Sequence, residues 1–294
     1  VAFAADGAVA AHVVRGGRDR APRLGACDWL PASDGEGLRR SMADWVARNG
    51  VGGADGVGVL AGGEYQVLQI EAPPVPAAEV RRAAAWRVRD LIDFPVEQAV
   101  IDVFDPPDTA RRGQPNVNVV VAHRATVADR IGQLEDAGIA LGVIDIPELA
   151  QRNASTFLPE SRGGHALLAL GDADGLVTVF RDGEQFLART LDTGRSALAV
   201  DPDGAAQALV LEVQRSFDYF ESALSQPPLG ALYVYPDDTA VSGLVSALES
   251  NLLNVEARAF ALGDLMEVDR EPDASGALAL HAVGAALRVA GGGA

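Results

Sequence analysis

The stretch Ala166-Leu-Leu-Ala-Leu170-Gly-Asp-Ala-Asp-Gly175-Leu-Val-Thr-Val-Phe180-Arg-Asp-Gly-Glu-Gln185-Phe-Leu-Ala-Arg-Thr-Leu191 decides the fold. It reads as three strands, Ala166–Leu170, Leu176–Phe180 and Gln185–Leu191, joined at Asp174-Gly175 and at Arg181-Asp-Gly183. Apolar runs of this length bounded by Asp-Gly pairs are hairpin signals, because Gly takes positive φ without steric cost. The chain opens in the same order. Val1–Ala5 and Ala8–Val14 flank Asp6-Gly7, a turn follows at Gly16–Arg20, and Pro22–Asp28 reads as a third strand. Strand, Asp-Gly turn, strand, turn, strand thus occurs twice, and predicts two related halves.

After each triple, helices alternate with single strands. In the first half, Asp34 caps a helix over Glu36–Asn49 with Leu38, Met42 and Trp45 on one face, and strands follow at Val57–Leu60 and Tyr65–Ile70. The prolines of Glu71-Ala-Pro-Pro-Val-Pro76 break the chain. A helix is expected over Ala77–Leu91, with Val80, Ala84, Val88 and Leu91 lining one side and Phe94-Pro95 stopping it. Strands Val100–Phe104 and Val117–Ala122 flank a polar loop, Pro106–Gln114. A helix over Ala125–Ala137 stops at Gly138, a strand covers Gly142–Ile146, and Pro147 opens another helix. In the second half, Leu209, Val213, Phe217, Phe220 and Leu224 recur at helical spacing within Asp203–Ser225. Strand Ala231–Tyr235, helix Val241–Leu253, strand Val255–Phe260 and an Ala-rich helix over Gly276–Val289 complete it. The alternation defines an α/β class.

Composition narrows the function. The chain has 294 residues, 41 Asp plus Glu, and 24 basic residues that are all Arg, for a formal net charge of −17. So acidic a surface repels phosphate backbones and anionic lipid. The absence of Lys excludes a P-loop lysine and a Schiff base. Cys27 is the single cysteine, and His12, His123, His165 and His281 lack the spacing of a helical metal pair, so no metal site is expected. No apolar run reaches the roughly 18 residues of a membrane span, and the early Asp6-Gly7 interrupts any leader. The expectation is a cytosolic protein whose Gly-rich tail frays and marks its end.

Neither a G-x-S-x-G, an HExxH nor a GxGxxG after a strand is present. The one candidate phosphate cradle is Gly171, Asp172, Asp174 and Gly175, whose two carboxylates and two glycines suit a Mg–phosphate contact and equally an ordinary turn. Trp86, Leu91 and Phe94 follow the proline break, where an apolar groove beside a strand edge would take an extended peptide; core packing is the alternative.

Several strings carry a resemblance to a known family. Glu71-Ala-Pro-Pro-Val-Pro-Ala-Ala-Glu-Val80, Ala85-Trp-Arg-Val-Arg-Asp-Leu-Ile-Asp-Phe-Pro95, Val100-Ile-Asp-Val-Phe104, Leu134-Glu-Asp-Ala-Gly-Ile139, Val143-Ile-Asp-Ile-Pro-Glu-Leu149, Glu212-Val-Gln-Arg-Ser-Phe-Asp-Tyr-Phe-Glu-Ser222 and Ala282-Val-Gly-Ala-Ala-Leu-Arg288 stand in the expected order. Together the chain resembles the PilM-like proteins of type IV pilus assembly, closest to the branch that serves MSHA pili. The resemblance implies an actin-like (FtsA/PilM-type) two-lobed α/β fold of duplicated ribonuclease H-like halves with an inserted small α+β subdomain. Residues 1–160 would form the first lobe, with the insertion at about 72–140. Residues 161–275 would form the second, and 276–294 a helix returning to the first lobe plus a flexible tail.

It also implies a scaffold at the inner-membrane assembly platform. Such a scaffold binds the cytoplasmic N-terminal tail of a PilN-like single-span protein and meets a motor ATPase. Trp86, Arg87, Leu91, Phe94 and Pro95 are the implied wall of the tail groove. Phe3-Ala-Ala-Asp-Gly7 lacks the family's hydroxyl-rich loop, and Leu168-Ala-Leu-Gly171 places apolar residues where an Asp is usual. The expected cleft is therefore degenerate, with ATP and Mg dispensable and no catalysis. A nucleotide-switched ATPase and the cytoplasmic part of a type II secretion platform protein are the competing expectations.

Overall fold

The computed structural model describes residues 1–14, 16, 21–107, 115–159 and 164–288. Most of the expected turn at Gly16–Arg20, most of the Pro106–Gln114 loop and the tail from Val289 lie outside the described residues.

The first half runs β1 (Ala2–Ala4), β2 (Gly7–Val14), β3 (Arg23–Pro31), α1 (Gly35–Asn49), β4 (Asp55–Val59), β5 (Tyr65–Glu71), α2 (Ala77–Val88), β6 (Ala99–Phe104), β7 (Asn116–His123), α3 (Arg124–Asp136), β8 (Ala140–Asp145) and α4 (Pro147–Ser155). The second runs β9 (His165–Leu170), β10 (Gly175–Arg181), β11 (Glu184–Leu191), α5 (Arg195–Val200), α6 (Pro202–Ser222), β12 (Ala231–Tyr235), α7 (Thr239–Asn251) and β13 (Glu256–Ala259). Then come α8 (Leu262–Leu265), β14 (Glu267–Val268) and α9 (Ala277–Ala286).

The repeat is real in three dimensions. One sheet contains β3-β2-β1-β4-β8 and the other β11-β10-β9-β12-β13, each an antiparallel triple extended by two parallel strands. β14 adds a sixth strand to the first sheet beside β3. This is the actin-like two-lobed arrangement of duplicated halves with a small inserted module.

Turn chemistry departs from the sequence reading in detail. Ala4 pairs with Gly7, so the first hairpin loop is Ala5-Asp6, and Gly7 is already a strand residue. Gly is required there because φ is +156° and a Cβ would strike the Leu30 carbonyl oxygen. Gly175 likewise pairs with Leu170, leaving Gly171–Asp174 as a longer loop. Asp182-Gly183 is the two-residue turn expected, with φ of 53° and 77°.

Local signals fix the helix ends. The Asp34 carboxylate accepts from Gly37 N, and Gly50 closes α1 in the left-handed region. Buried Leu209, Val213, Phe217 and Phe220 form the inward face of α6. α2 stops at Val88, short of the expected Leu91, because Leu91 N–H turns back to Val88 O. Ala84 and Val88 reach the core, whereas Leu91, beyond the last turn, is 56% exposed.

The inserted module is a separate three-stranded sheet, β5-β7-β6, covered on one face by α2. It spans 65–123 rather than about 72–140. β5 pairs with β7 and with no strand of the first sheet, while Leu134 of α3 belongs to the first lobe's core. The entry to the module is tied down by two contacts. Arg130 of α3 forks onto Glu64 and lies 4.5 Å over the Phe3 ring, and Tyr65 Oη donates to Glu148 Oε2 at 2.8 Å.

Between the two large sheets lie α4 and α9, whose small residues Ala150, Ala154, Ala279, Ala282 and Ala285 share a core with Leu24, Leu167 and Tyr233. A Cβ at Gly284 would collide with the Ala150 carbonyl oxygen. Gly284→Ala is expected to lower the unfolding free energy by about 2 kcal/mol or more, as overpacking against an immobile backbone does. Denaturant unfolding checks this, and an unchanged midpoint would mean that the two helices can separate without loss.

Candidate functional site

A cavity of about 490 Å³ opens between the lobes. Its walls come from the Ala5-Asp6 turn, Leu60–Gly62, Tyr65, Pro147, the Gly171–Asp174 loop with Gly175, and His281 of α9. The fold thus brings Gly171, Asp172, Asp174 and Gly175 together at the cleft and faces them toward the opposing hairpin.

The backbone of that loop is committed inward. Gly171 N–H donates to Asp174 O, and the first two N–H groups of α5, Arg195 and Ser196, donate to Gly171 O and Asp172 O at 2.9 Å each. Gly194 permits this approach, since a Cβ there would lie 2.6 Å from the loop backbone. Burial and the neighbouring Asp192 push the Asp174 carboxyl upward.

The Arg195 guanidinium binds three loops at once: Asp172 at 3.8 Å, Asp238 at 3.2 Å and Ser275 Oγ at 3.3 Å. Asp238 is also the N-cap of α7, accepting from Ala240 and Val241 N–H. The positive end of α7 is therefore already held by a carboxylate of this chain. A polyphosphate needs free N–H donors and a positive field. Here Gly171 N–H and the first N–H groups of α5 are taken up inside the protein, the α7 start is capped by its own carboxylate, and Arg195 is paired with Asp172 and Asp238. Among the described residues no three His, Cys, Asp or Glu side chains converge as a metal cage.

Deeper in, burial raises the Glu148 carboxyl above the usual carboxylate range and drives the Tyr65 hydroxyl higher still. Beside them Thr178 Oγ1 donates to Gln151 Oε1 at 2.7 Å, and Gln151 Nε2 meets His281 Nε2 at 3.2 Å. An amide nitrogen only donates, so that imidazole nitrogen carries no proton. Tyr65, Glu148, Arg195, Asp238 and His281 all escaped sequence reasoning. They lie on different elements, and no spacing connects them, although the Asp238-Thr-Ala start of α7 carries an ordinary N-cap signal.

The second group, Trp86, Arg87, Leu91, Phe94 and Pro95, does not converge on one groove. Ala84 and Val88 face the sheet, so Trp86, about 100° per residue from its neighbours, points the opposite way and is 72% exposed. Arg87 reaches toward Glu71 at 3.9 Å. Phe94 is half-buried and packs on the His123 ring at 5.1 Å, with exposed Pro95 beside it. None of these five lines the interlobe cavity.

The class defined by this geometry is an actin-like two-lobed protein with a cleft between the lobes and an inserted three-stranded module. The sequence matches no protein-family profile and no curated protein sequence. Among solved structures it is similar to the PilM-PilN type IV pilus biogenesis complex, at 20% identity, a TM-score of 0.68 and 94% coverage of both chains. It is also similar to the cytoplasmic domain of EpsL, an inner membrane component of the type II secretion system of Vibrio cholerae. That match has 16% identity, a TM-score of 0.53, and coverage of 97% of this chain and 92% of the other.

Burial holds both His281 and His165 down to about 4. The unfolded chain takes up these protons below its ordinary value near 6.5, and the folded chain does so only near 4. Stability is thus complete above pH 7 and is lost as pH falls from 6.5 toward 4. The expected loss between pH 7 and pH 5 is about 2 kcal/mol per histidine. Denaturant titrations at both values measure it, and a His165→Phe variant should show the smaller slope.

Proposed function

We propose that this chain is an MshI-like cytoplasmic scaffold of an MSHA-type (type IV) pilus assembly platform. It holds the cytoplasmic N-terminal tail of a PilN-like single-span inner-membrane protein and so sits peripherally at that membrane. The observation that carries this reading is the similarity to PilM in its PilN complex, which runs over nearly the whole of both chains.

The proposed tail contact is the turn after α2. Exposed Leu91 is followed by half-buried Phe94 and exposed Pro95, with Arg87 one turn before. Among the described residues β6 pairs only with β7 and is an edge strand to which a strand could be added. The motor ATPase of such a system is the proposed second partner, reached through the same platform.

In this reading the cleft is a structural joint and not a catalytic centre. Arg195 ties the loops that would otherwise close on a nucleotide, and ATP is neither required nor turned over. Similarity to the EpsL domain supports a second reading, the cytoplasmic part of a type II secretion platform protein, at a lower TM-score.

Calorimetric titration with Mg-ATP, then with the tail peptide of the host's PilN-like protein, tests the proposal. Micromolar peptide binding with no ATP heat is the expected result, and Phe94→Ala should weaken the peptide about tenfold, as loss of a buried aromatic anchor does. ATP binding that disappears in Asp172→Ala or Asp174→Ala would instead favour a nucleotide-switched ATPase. A peptide that fails to bind would remove the platform assignment.

A further inference from the structure

The outer face of α2 has no role in the tail contact, yet its composition is unlike the rest of the chain. Arg81, Arg82 and Arg87 on α2 and Arg89 just past its end outnumber the neighbouring carboxylates Glu79 and Asp90, in a protein of net charge −17. Arg82, Trp86 and Arg89 share one stripe by their i, i+4 and i, i+3 spacing. That stripe is opposite Ala84 and Val88, the residues that bind α2 to the sheet. Arg82 has only a long contact to Glu79 at 3.7 Å, and Arg81 and Arg89 have no ion-pair partner among the described residues. α2 is the outermost layer of the inserted module, so the stripe is convex, with an exposed indole at its centre.

We propose that this crest is a contact surface for an anionic lipid headgroup layer. A peptide needs a groove that excludes water from its backbone, and the crest offers none. A bilayer interface accepts a convex knob, takes an indole at headgroup depth, and attracts arginines placed around it. Charge complementarity sets the orientation. The acidic remainder of the molecule is repelled by the same surface, and most of it lies beyond the Debye length of about 8 Å at physiological salt. The contact is shallow and reversible; no helix among the described residues is long and apolar enough to cross a membrane. This goes beyond the tail-binding reading and stands without it.

The test uses the full chain with vesicles of phosphatidylglycerol and phosphatidylethanolamine, against vesicles of phosphatidylcholine alone. Sedimentation is expected with the anionic vesicles only, weakening as salt rises. The emission of Trp86 should shift to the blue, and Trp86→Phe should abolish that shift while leaving sedimentation largely intact. Arg82→Glu combined with Arg89→Glu should weaken vesicle binding at least about tenfold, and should leave tail-peptide affinity unchanged. These side chains are exposed, so the variants retain the fold. No sedimentation, equal binding to neutral vesicles, or indifference to the double reversal would overturn the proposal. Loss of tail-peptide binding in Trp86→Ala would overturn it too, by assigning the crest to an acidic peptide.

Discussion

The approach of α9 onto α4 is the constraint on which the rest of the molecule depends. The facing sides of the two large sheets share one core with α4 and α9. The two Ala-rich helices fill the space between them, and Gly284 lets their backbones meet at Ala150. Because α9 follows the second half in sequence and packs on β1, β2 and β4 of the first, the lobes are stapled from the far end of the chain. Arg288, just past α9, adds an ion pair to buried Asp145 at 2.7 Å. Removing one partner of so buried a pair leaves a charge without compensation, which is costly.

That staple gives the cleft its character. The hairpin loop 171–174, the α5 start, the α7 cap and Ser275 before α9 are held near each other by Arg195, a residue of the protein itself. The N–H groups of Gly171, Arg195 and Ser196 are satisfied within this cluster. Beneath them the Thr178-Gln151-His281 chain joins the second sheet to α4 and α9 through neutral partners. The inserted module is fastened to this frame where it begins, at Glu64 and Tyr65.

Charge shows the difference between a sum and a map. A net charge of −17 argues against phosphate-bearing surfaces as a whole. The structure then places Arg81, Arg82, Arg87 and an exposed Trp86 on α2, with Arg89 just past its end, so basic groups cluster on one helix of an acidic protein. Composition averages over the surface, and screening makes only the nearby charges count.

The sequence by itself determined the local elements and their repetition. Asp34 and Gly50 delimited α1, Asp182-Gly183 made its turn, the apolar period of α6 named its buried face, and twin strand triples announced duplicated halves. These features rest on backbone sterics and on spacing within one element, which a sequence displays directly. Gly7 and Gly175 were misread by a residue because strand pairing, and not the dipeptide alone, sets where a hairpin loop begins. Of the candidate site, the 171–175 loop was legible as a turn beside a strand. Tertiary structure alone decided that the start of α5 bonds its carbonyls, that Arg195 bridges Asp172 to Asp238, that Tyr65 meets Glu148 across 83 positions, and that Trp86 points away from the sheet. Those contacts join residues far apart in the chain, and nothing in local spacing encodes which distant surfaces packing will bring together.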